Sequence, residues 1–393
     1  MQTPPSVFSQ ITAALYPAEF SRCVELFPTD RPTRGLTCYD QFLALCFGQL
    51  TFRESLREIV ACLKSKGSSL YHLGFRGNIS RTNLAYANQH RDWRMFQAVA
   101  QILMRRAARL YQDQPTDPDF PKIAFALDSS IISLSLNLFP WGYYARSTQA
   151  ALKLHMLLSL QGNLPAWAVI TEADLPDTKI LDQLPVTPGA HYVMDRGYLD
   201  FKRLFRIDQS EAYFVVRSKH HVRYRVLSAR PVDKSTGLRS DHTIKLTSEW
   251  SKRLYPKPLR KVRVYDAENQ VTLVLLTNQF DLPAIVIAEL YRHRWKVELF
   301  FKWIKQHLRL RSFYGRSPNA VRCQIWSAIC AYLMVAIVKQ RLNLKQTLNE
   351  ILQITSVSIF EQTSLAELLT PAASLEATES SERYVQKLFL LND

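Results

Sequence analysis

Glycine is scarce in this chain, 11 of 393 residues, which excludes collagen-like and glycine-rich linker architectures. Acidic residues are also in short supply. The 34 Asp and Glu face 50 Lys and Arg, leaving a formal net charge of +16 and a pI near 9.6. The six cysteines (Cys23, Cys38, Cys46, Cys62, Cys323 and Cys330) have no Cys-x-x-Cys spacing and no His pair nearby. That pattern argues against a zinc site or a disulfide framework and for small buried hydrophobes in a reducing compartment. His220 and His221, set among Arg217, Lys219 and Arg223, read as part of a basic strand and not as a metal site. There is no low-complexity tract and no repeat at a fixed period. The longest apolar stretch, Ile325 to Val338, falls short of the roughly 20 residues a bilayer span needs and reads as a buried core helix. Residues 1–9 lack the basic-then-apolar order of a secretion signal.

What is present is a globular composition, 47% hydrophobic, long enough for a catalytic core with accessory modules. A cationic excess without a membrane segment points to a phosphate backbone: the partner class is nucleic acid, with no membrane.

The first hundred or so residues read as helical. QFLALCFGQL, with Asp40 ahead of it, and TFRESLREIVACL, with Ser55 as a cap, are the first two helices. A long helix follows over about 92–111. Arg76, Arg81, Arg91 and Arg94 cluster around the preceding turn and suit groove or phosphate contact; a solvated basic face on a helical bundle is the alternative. A Pro- and Asp-rich break, Gln114 to Pro121, then changes the pattern. KIAFAL is a short strand ending at Asp128. Ala151–Leu160 and Pro165–Thr171 are strands joined around Gly162-Asn163, a hairpin signal, and His191–Met194 is a strand ending at Asp195. Residues 211–280 are rich in β-formers, with a turn at Asp266–Gln270, and long helices follow over 281–308 and 318–341. The division expected is a helical DNA-binding domain over 1–113, a catalytic core over 121–207, a β-rich insertion over 208–280, the core's helical second part over 281–345, and a helical tail over 346–393. The fold class is α/β.

In the helix beginning near Asp281, which can cap it ahead of Pro283, lie Tyr291, Arg294, Glu298 and Lys305. Offsets of 3, 7 and 14 at about 100° per residue keep the four within an arc of roughly 60°. Apolar Leu299, Phe300, Phe301, Trp303 and Ile304 cover the rest, and Trp295 reads as core packing. A polar stripe on a buried helix must face something polar, and an internal Arg294–Glu298 ion pair is the plain reading of it. Asp128 and Asp195 supply a second reading. Each follows a short apolar strand, where open α/β sheets place ligands, and Arg196-Gly197-Tyr198 forms a turn that leaves Asp195 exposed. A lone strand-end aspartate is usually a turn or helix cap. Two aspartates and a helical glutamate make an all-oxygen set that suits Mg²⁺, with Mn²⁺ as substitute. Two such ions, about 3.5–4 Å apart, are suited to phosphodiester transfer.

The run Tyr291-x2-Arg294-x3-Glu298-x6-Lys305 resembles, without a gap, the C-terminal signature of the insertion-sequence-four group of bacterial DDE transposases. IAFALDSS and HYVMDRGYLDF are similar to that family's two aspartate strands, and the helical segments CYDQFLALCFGQLTFRESLREI and SRTNLAYANQHRDWR are similar to the domain preceding such cores. The resemblance implies a ribonuclease-H-like mixed sheet flanked by helices, with Asp128, Asp195 and Glu298 as catalytic metal ligands. It further implies that Tyr291, Arg294 and Lys305 contact DNA phosphates, and that Trp250 of the β-rich insertion stacks on a flipped base. The implied partners are the element's terminal inverted repeats and target DNA, held by a homodimer in a cytoplasmic, nucleoid-associated synaptic complex. A metal-dependent nuclease without strand transfer and a non-catalytic DNA-binding relic would use the same residues.

Overall fold

The computed structural model describes residues 4–28, 35–112, 120–142, 150–307 and 312–369. Most of the Gln114–Pro121 break and the tail beyond residue 369 lie outside them. Backbone packing divides the chain into two units, one from Met1–Leu110 with His307–Asp393 and the other Tyr111–Gln306.

The first unit is helical where described. Its centre is the helix Pro318–Arg341, capped by Ser317, whose hydroxyl accepts from the Ala320 N–H, and buried from Ala320 to Val338 except at Arg322. It is long and apolar enough to cross a membrane by length and composition, yet 94% of that window is buried inside the fold. Helices Val7–Thr12, Cys38–Leu50, Arg81–His90 and Leu348–Ser358 surround it. The sequence division ran the core's second part to residue 345. The packing divides the chain at 306/307, because Pro318–Arg341 has no polar face and needs apolar helices on every side. Ser55 caps Leu56–Lys64 as expected. Arg91 departs from expectation. It is 3% exposed and donates to the carbonyls of Leu36 and Thr37, so it binds the fold together and is not a surface cation.

The second unit is a nine-stranded mixed sheet. Strands β1 (Ala124–Leu134), β2 (Ala150–Ser159), β3 (Leu164–Glu172), β4 (His191–Met194), β5 (Tyr213–Arg217), β6 (Tyr224–Arg230), β7 (Leu238–Leu246), β8 (Leu259–Asp266) and β9 (Val271–Thr277) lie in the order β3-β2-β1-β4-β5-β9-β8-β7-β6. The β1–β2–β3 meander is antiparallel, and β4 and β5 run parallel to β1. This is the ribonuclease-H-like arrangement. Gly162 and Asn163 turn the β2–β3 hairpin with φ of +72° and +53°, the left-handed backbone such a loop requires. Gln270, at φ +52°, turns β8 into β9 within the segment read as a hairpin.

Both faces of the sheet are covered. Tyr192, Met194, Phe214 and Val216 pack with Leu204 and Ile207 of the amphipathic helix Phe201–Gln209. Val193, Val215, Val262 and Leu275, of opposite parity, are equally buried, and helix Ala284–His293 packs against β4, β5, β7 and β8. At about 1.5–3 kcal/mol for each large aliphatic side chain, this burial is what holds the four-residue β4 in place. The β-rich segment is more continuous with the core than the sequence showed. β5, at 213–217, is a core strand pairing with β4, and β9 pairs with β5, so the added strands extend one sheet.

Candidate active site

Asp128 was read as ending its strand; β1 instead continues six residues past it. Residues 128–134 keep their antiparallel bonds to β2, from Asp128↔Met156 to Leu134↔Ala150. The parallel ladder to β4, however, stops at Leu127↔Met194. Asp128 and Asp195 are therefore each the residue directly after the last pair of this ladder, between strands whose backbones lie about 4.8 Å apart. β4 ends there because Asp195 leads into the short helical turn Arg196–Tyr198.

The signature segment reaches this point from the other direction. The expected single helix is two: Ala284–His293 and Trp295–His307, with Arg294 at the junction. Asp281 does not cap the first; Pro283 occupies that position without a side-chain bond, and the Asp281 N–H donates to Gln279 Oε1. Trp295 and Leu299 are 56% and 48% exposed, so neither is core. Val297, Phe300, Phe301 and Ile304 are the buried residues of that turn series. The polar stripe survives the junction, because a single helical-φ residue there hardly changes direction.

Its chemistry converges on the aspartates. One nitrogen, Arg294 Nη1, lies 2.9 Å from Asp128 Oδ2 and 2.6 Å from Glu298 Oε1. The two carboxylates can be no farther apart than those distances together, so the plain Arg294–Glu298 pair exists but is shared with Asp128. The Tyr291 hydroxyl is 3.4 Å from Asp195 Oδ1. Lys305 Nζ donates to the Ile131 carbonyl of β1 at 2.7 Å. Asp128 Oδ1 accepts from the Ser129 N–H at 2.8 Å.

Burial pushes the Asp128 carboxyl up to about 6, against the opposing pull of the Ser129 N–H and Arg294; Glu298 and Asp195 raise it further. Tyr291 is likewise raised, first by burial. Two carboxylates thus share one guanidinium in a half-buried place, with Asp195 close by at the Tyr291 hydroxyl, an excess of negative charge that invites cations. Among the described residues no group of three or more His, Cys, Asp or Glu side chains is arranged to hold a metal ion as it stands. At the trio, the Arg294 guanidinium sits between Asp128 and Glu298. The all-oxygen donor set fits a hard divalent ion once Arg294 moves aside.

Beside the trio, a cavity of about 160 Å³ is lined by Arg196, Arg217, Lys219, His220, Tyr224 and Lys261, with no acidic residue. Lys261 is buried and its Nζ bonds the Tyr224 hydroxyl, which does not neutralise its charge. Sequence reasoning missed this anion-attracting pocket, because its residues come from strands whose pairing no local pattern announces. His220 and His221 lie in the turn before β6, not in a strand. Trp250 is 70% exposed on the short helix Glu249–Leu254 and borders a separate cavity of about 290 Å³.

Comparison with known families gives a match to the transposase DDE domain over residues 119–334 and to a domain of unknown function, DUF4372, over 3–76. The protein named as transposase y4zB of Sinorhizobium fredii is 33% identical over 56% of this chain and 62% of its own length. The protein named as transposase of insertion sequence element IS5377 of Geobacillus stearothermophilus is 30% identical over 55% of this chain and 56% of its own. The corresponding protein for element IS4SA of a Synechocystis strain is 24% identical over 69% and 75%. The chain thus spans somewhat under two thirds of the first two relatives.

Proposed function

Because the chain belongs to the DDE transposase family, we propose that it is a metal-dependent DNA transposase, cleaving the ends of its element and joining them to target DNA. The observation that carries this reading is the convergence at one point of Asp128 and Asp195, each directly after the last pair of the β1–β4 ladder, with Glu298 through the shared Arg294 nitrogen.

Asp128, Asp195 and Glu298 would hold two Mg²⁺ ions, or Mn²⁺ in their place. Such ions supply Lewis-acid stabilisation of the attacking and leaving oxygens in an in-line phosphoryl transfer. The chain's own groups do the positioning. Arg294, displaced from the carboxylates, has a planar fork that grips a phosphate through two hydrogen bonds, whereas Lys305 offers a point charge. Tyr291 can donate its hydroxyl to a phosphate oxygen near Asp195. The cationic cavity beside Arg196 draws the flanking backbone in, and exposed Trp250 offers a stacking face for a base removed from the duplex. The amino-terminal helices, with exposed Arg76, Arg81 and Arg94, would bind the element's terminal repeats. A homodimer would pair two ends, in the bacterial cytoplasm on the nucleoid.

The test is an assay with labelled element ends and a supercoiled target plasmid in Mg²⁺. Cleavage and joined product are expected, both lost in EDTA. Cleavage without joining would make the protein a nuclease; turnover undiminished in EDTA would end the metal mechanism.

A further inference from the structure

The neighbourhood of Asp128 holds a fourth carboxylate, Asp177, that no part of the proposed mechanism uses. It belongs to the short helical turn Asp177–Ile180 after β3. Its Oδ1 accepts from the Ser129 hydroxyl at 3.0 Å and from Lys153 Nζ at 3.2 Å. Lys153, only 12% exposed at its side chain, is itself anchored to the Leu175 carbonyl at 2.9 Å. His155, fully buried, brings Nδ1 to 3.9 Å from the same oxygen and is bonded through Nε2 to the Thr171 hydroxyl at 3.0 Å. Burial holds this imidazole down to about 4, so it is neutral near pH 7 and Lys153 carries the counter-charge.

The other oxygen of Asp177 faces elsewhere. Oδ2 lies 3.6 Å from where a Cβ on Gly197 would stand, which puts it against the turn that follows Asp195. The Tyr198 hydroxyl is buried in the same place and feels Asp128, Asp177 and Asp195 together. One side chain thus reaches both catalytic segments: it is hydrogen-bonded to the residue after Asp128, and it stands over the residue two after Asp195, where a Cβ would meet it at 3.6 Å. The Ser129 N–H in turn donates to Asp128 Oδ1. A carboxylate that only balanced Lys153 would not need a second tie to β1 at the one residue whose amide orients a catalytic group.

We propose that Asp177, neutralised by Lys153, is a positioning residue that braces the Asp128 and Asp195 segments against each other and sets the spacing at which their carboxylates receive a divalent ion. It is not itself a ligand; it acts through Ser129 and the Gly197 turn. The inference rests on the metal-dependent reading above. Partners one step removed from the ligands typically change metal affinity by about 10–100-fold.

The test is Mn²⁺ binding by the full-length protein, free of DNA, with unbound Mn²⁺ followed by electron paramagnetic resonance. Asp177→Asn, nearly isosteric, is expected to weaken Mn²⁺ uptake about tenfold. Its binding of element-end DNA in EDTA should stay at the wild-type value and its circular dichroism that of the folded protein, although loss of the counter-charge to Lys153 lowers its thermal midpoint. Ser129→Ala should weaken uptake by about threefold, one hydrogen bond's worth. The double variant should be no weaker than Asp177→Asn alone, because both act along one path. Wild-type Mn²⁺ affinity in Asp177→Asn, or strictly additive losses, would overturn the proposal. If Asp177→Asn does not fold, wild-type affinity in Ser129→Ala would overturn it in the same way. Wild-type protein that takes up no Mn²⁺, and so cannot be told from Asp128→Ala, would overturn the metal reading along with it.

Discussion

Two buried arginine–carboxylate arrangements within the α/β unit differ in a way that separates scaffold from site. In the added strands, Arg260 and Asp241 are each 3% exposed at the side chain. Arg260 grips Asp241 through Nε at 2.9 Å and Nη2 at 2.7 Å, and Nη1 donates to the carbonyls of Gln279 and Leu282. All three guanidinium nitrogens have acceptors. At Arg294 the stoichiometry is reversed. One nitrogen serves two carboxylates, Nε is buried without a partner, and a third carboxylate lies one strand away. A buried carboxylate gripped by a fully satisfied guanidinium, with Arg230 4.0 Å away, fixes structure; a cluster short of positive charge is built to receive something.

The largest effect expected from breaking this contrast is at the open cluster. Asp128→Asn, Asp195→Asn or Glu298→Gln should each abolish strand cleavage while DNA binding persists, and calorimetry should find the unfolding midpoint unmoved or raised, since a crowded charge has been removed. A midpoint lowered as far as by Arg260→Ala would place the trio with the scaffold. Arg260→Ala itself should cost about 3–5 kcal/mol in denaturant unfolding by leaving buried Asp241 with only Arg230, 4.0 Å away, as counter-charge. Acid should act on the scaffold next. His155 and His191 are both held down to about 4 by burial. They stay neutral in the fold, while the unfolded chain protonates them near 6.5. As pH falls from 6.5 towards 4 the unfolded state binds protons the native state refuses, so stability declines, by at most about 1.4 kcal/mol per pH unit per histidine. A denaturation midpoint flat over that interval in Asp128→Asn, which removes the opposing proton uptake of the raised Asp128 carboxyl, would show that the rings are protonated in the fold. Trp250→Ala should weaken binding of element ends by about 1–3 kcal/mol if the indole stacks on a base, with the midpoint unchanged because the side chain is exposed. The smallest effect is at the signature cations. Arg294→Ala or Lys305→Ala should lower the slope of log affinity against log salt by about one unit each in a filter-binding titration.

The comparison also shows why some of the site was legible in the chain and some was not. Tyr291, Arg294, Glu298 and Lys305 could be grouped because helical periodicity converts spacing into direction. That inference survived a break at Arg294, since the junction residue keeps helical dihedrals. Asp195 was legible because an apolar strand, then Arg196-Gly197, announces a strand end. Asp128 was picked out as a strand end, and the structure changes that geometry: its strand runs on, and it is the shorter partner β4 that stops beside it. Asp177 carried no local signal, because its meaning lies in bonds to Ser129 and Lys153, 48 and 24 residues away. Arg91 looked like a surface cation because a buried arginine with carbonyl partners is written with the same letter as an exposed one.

Properties additive along the chain were settled by sequence alone: the charge excess, the amphipathic periods and the turn at Gly162-Asn163. Whatever depends on which segments become neighbours was decided only by tertiary structure. That includes the register bringing Asp128 beside Asp195, the continuation of β5 into the added strands, and the sharing of Arg294 between two acids. The physical reason is that charge and periodicity are sums over residues, whereas strand register and burial are fixed by the best joint packing of segments far apart in the chain.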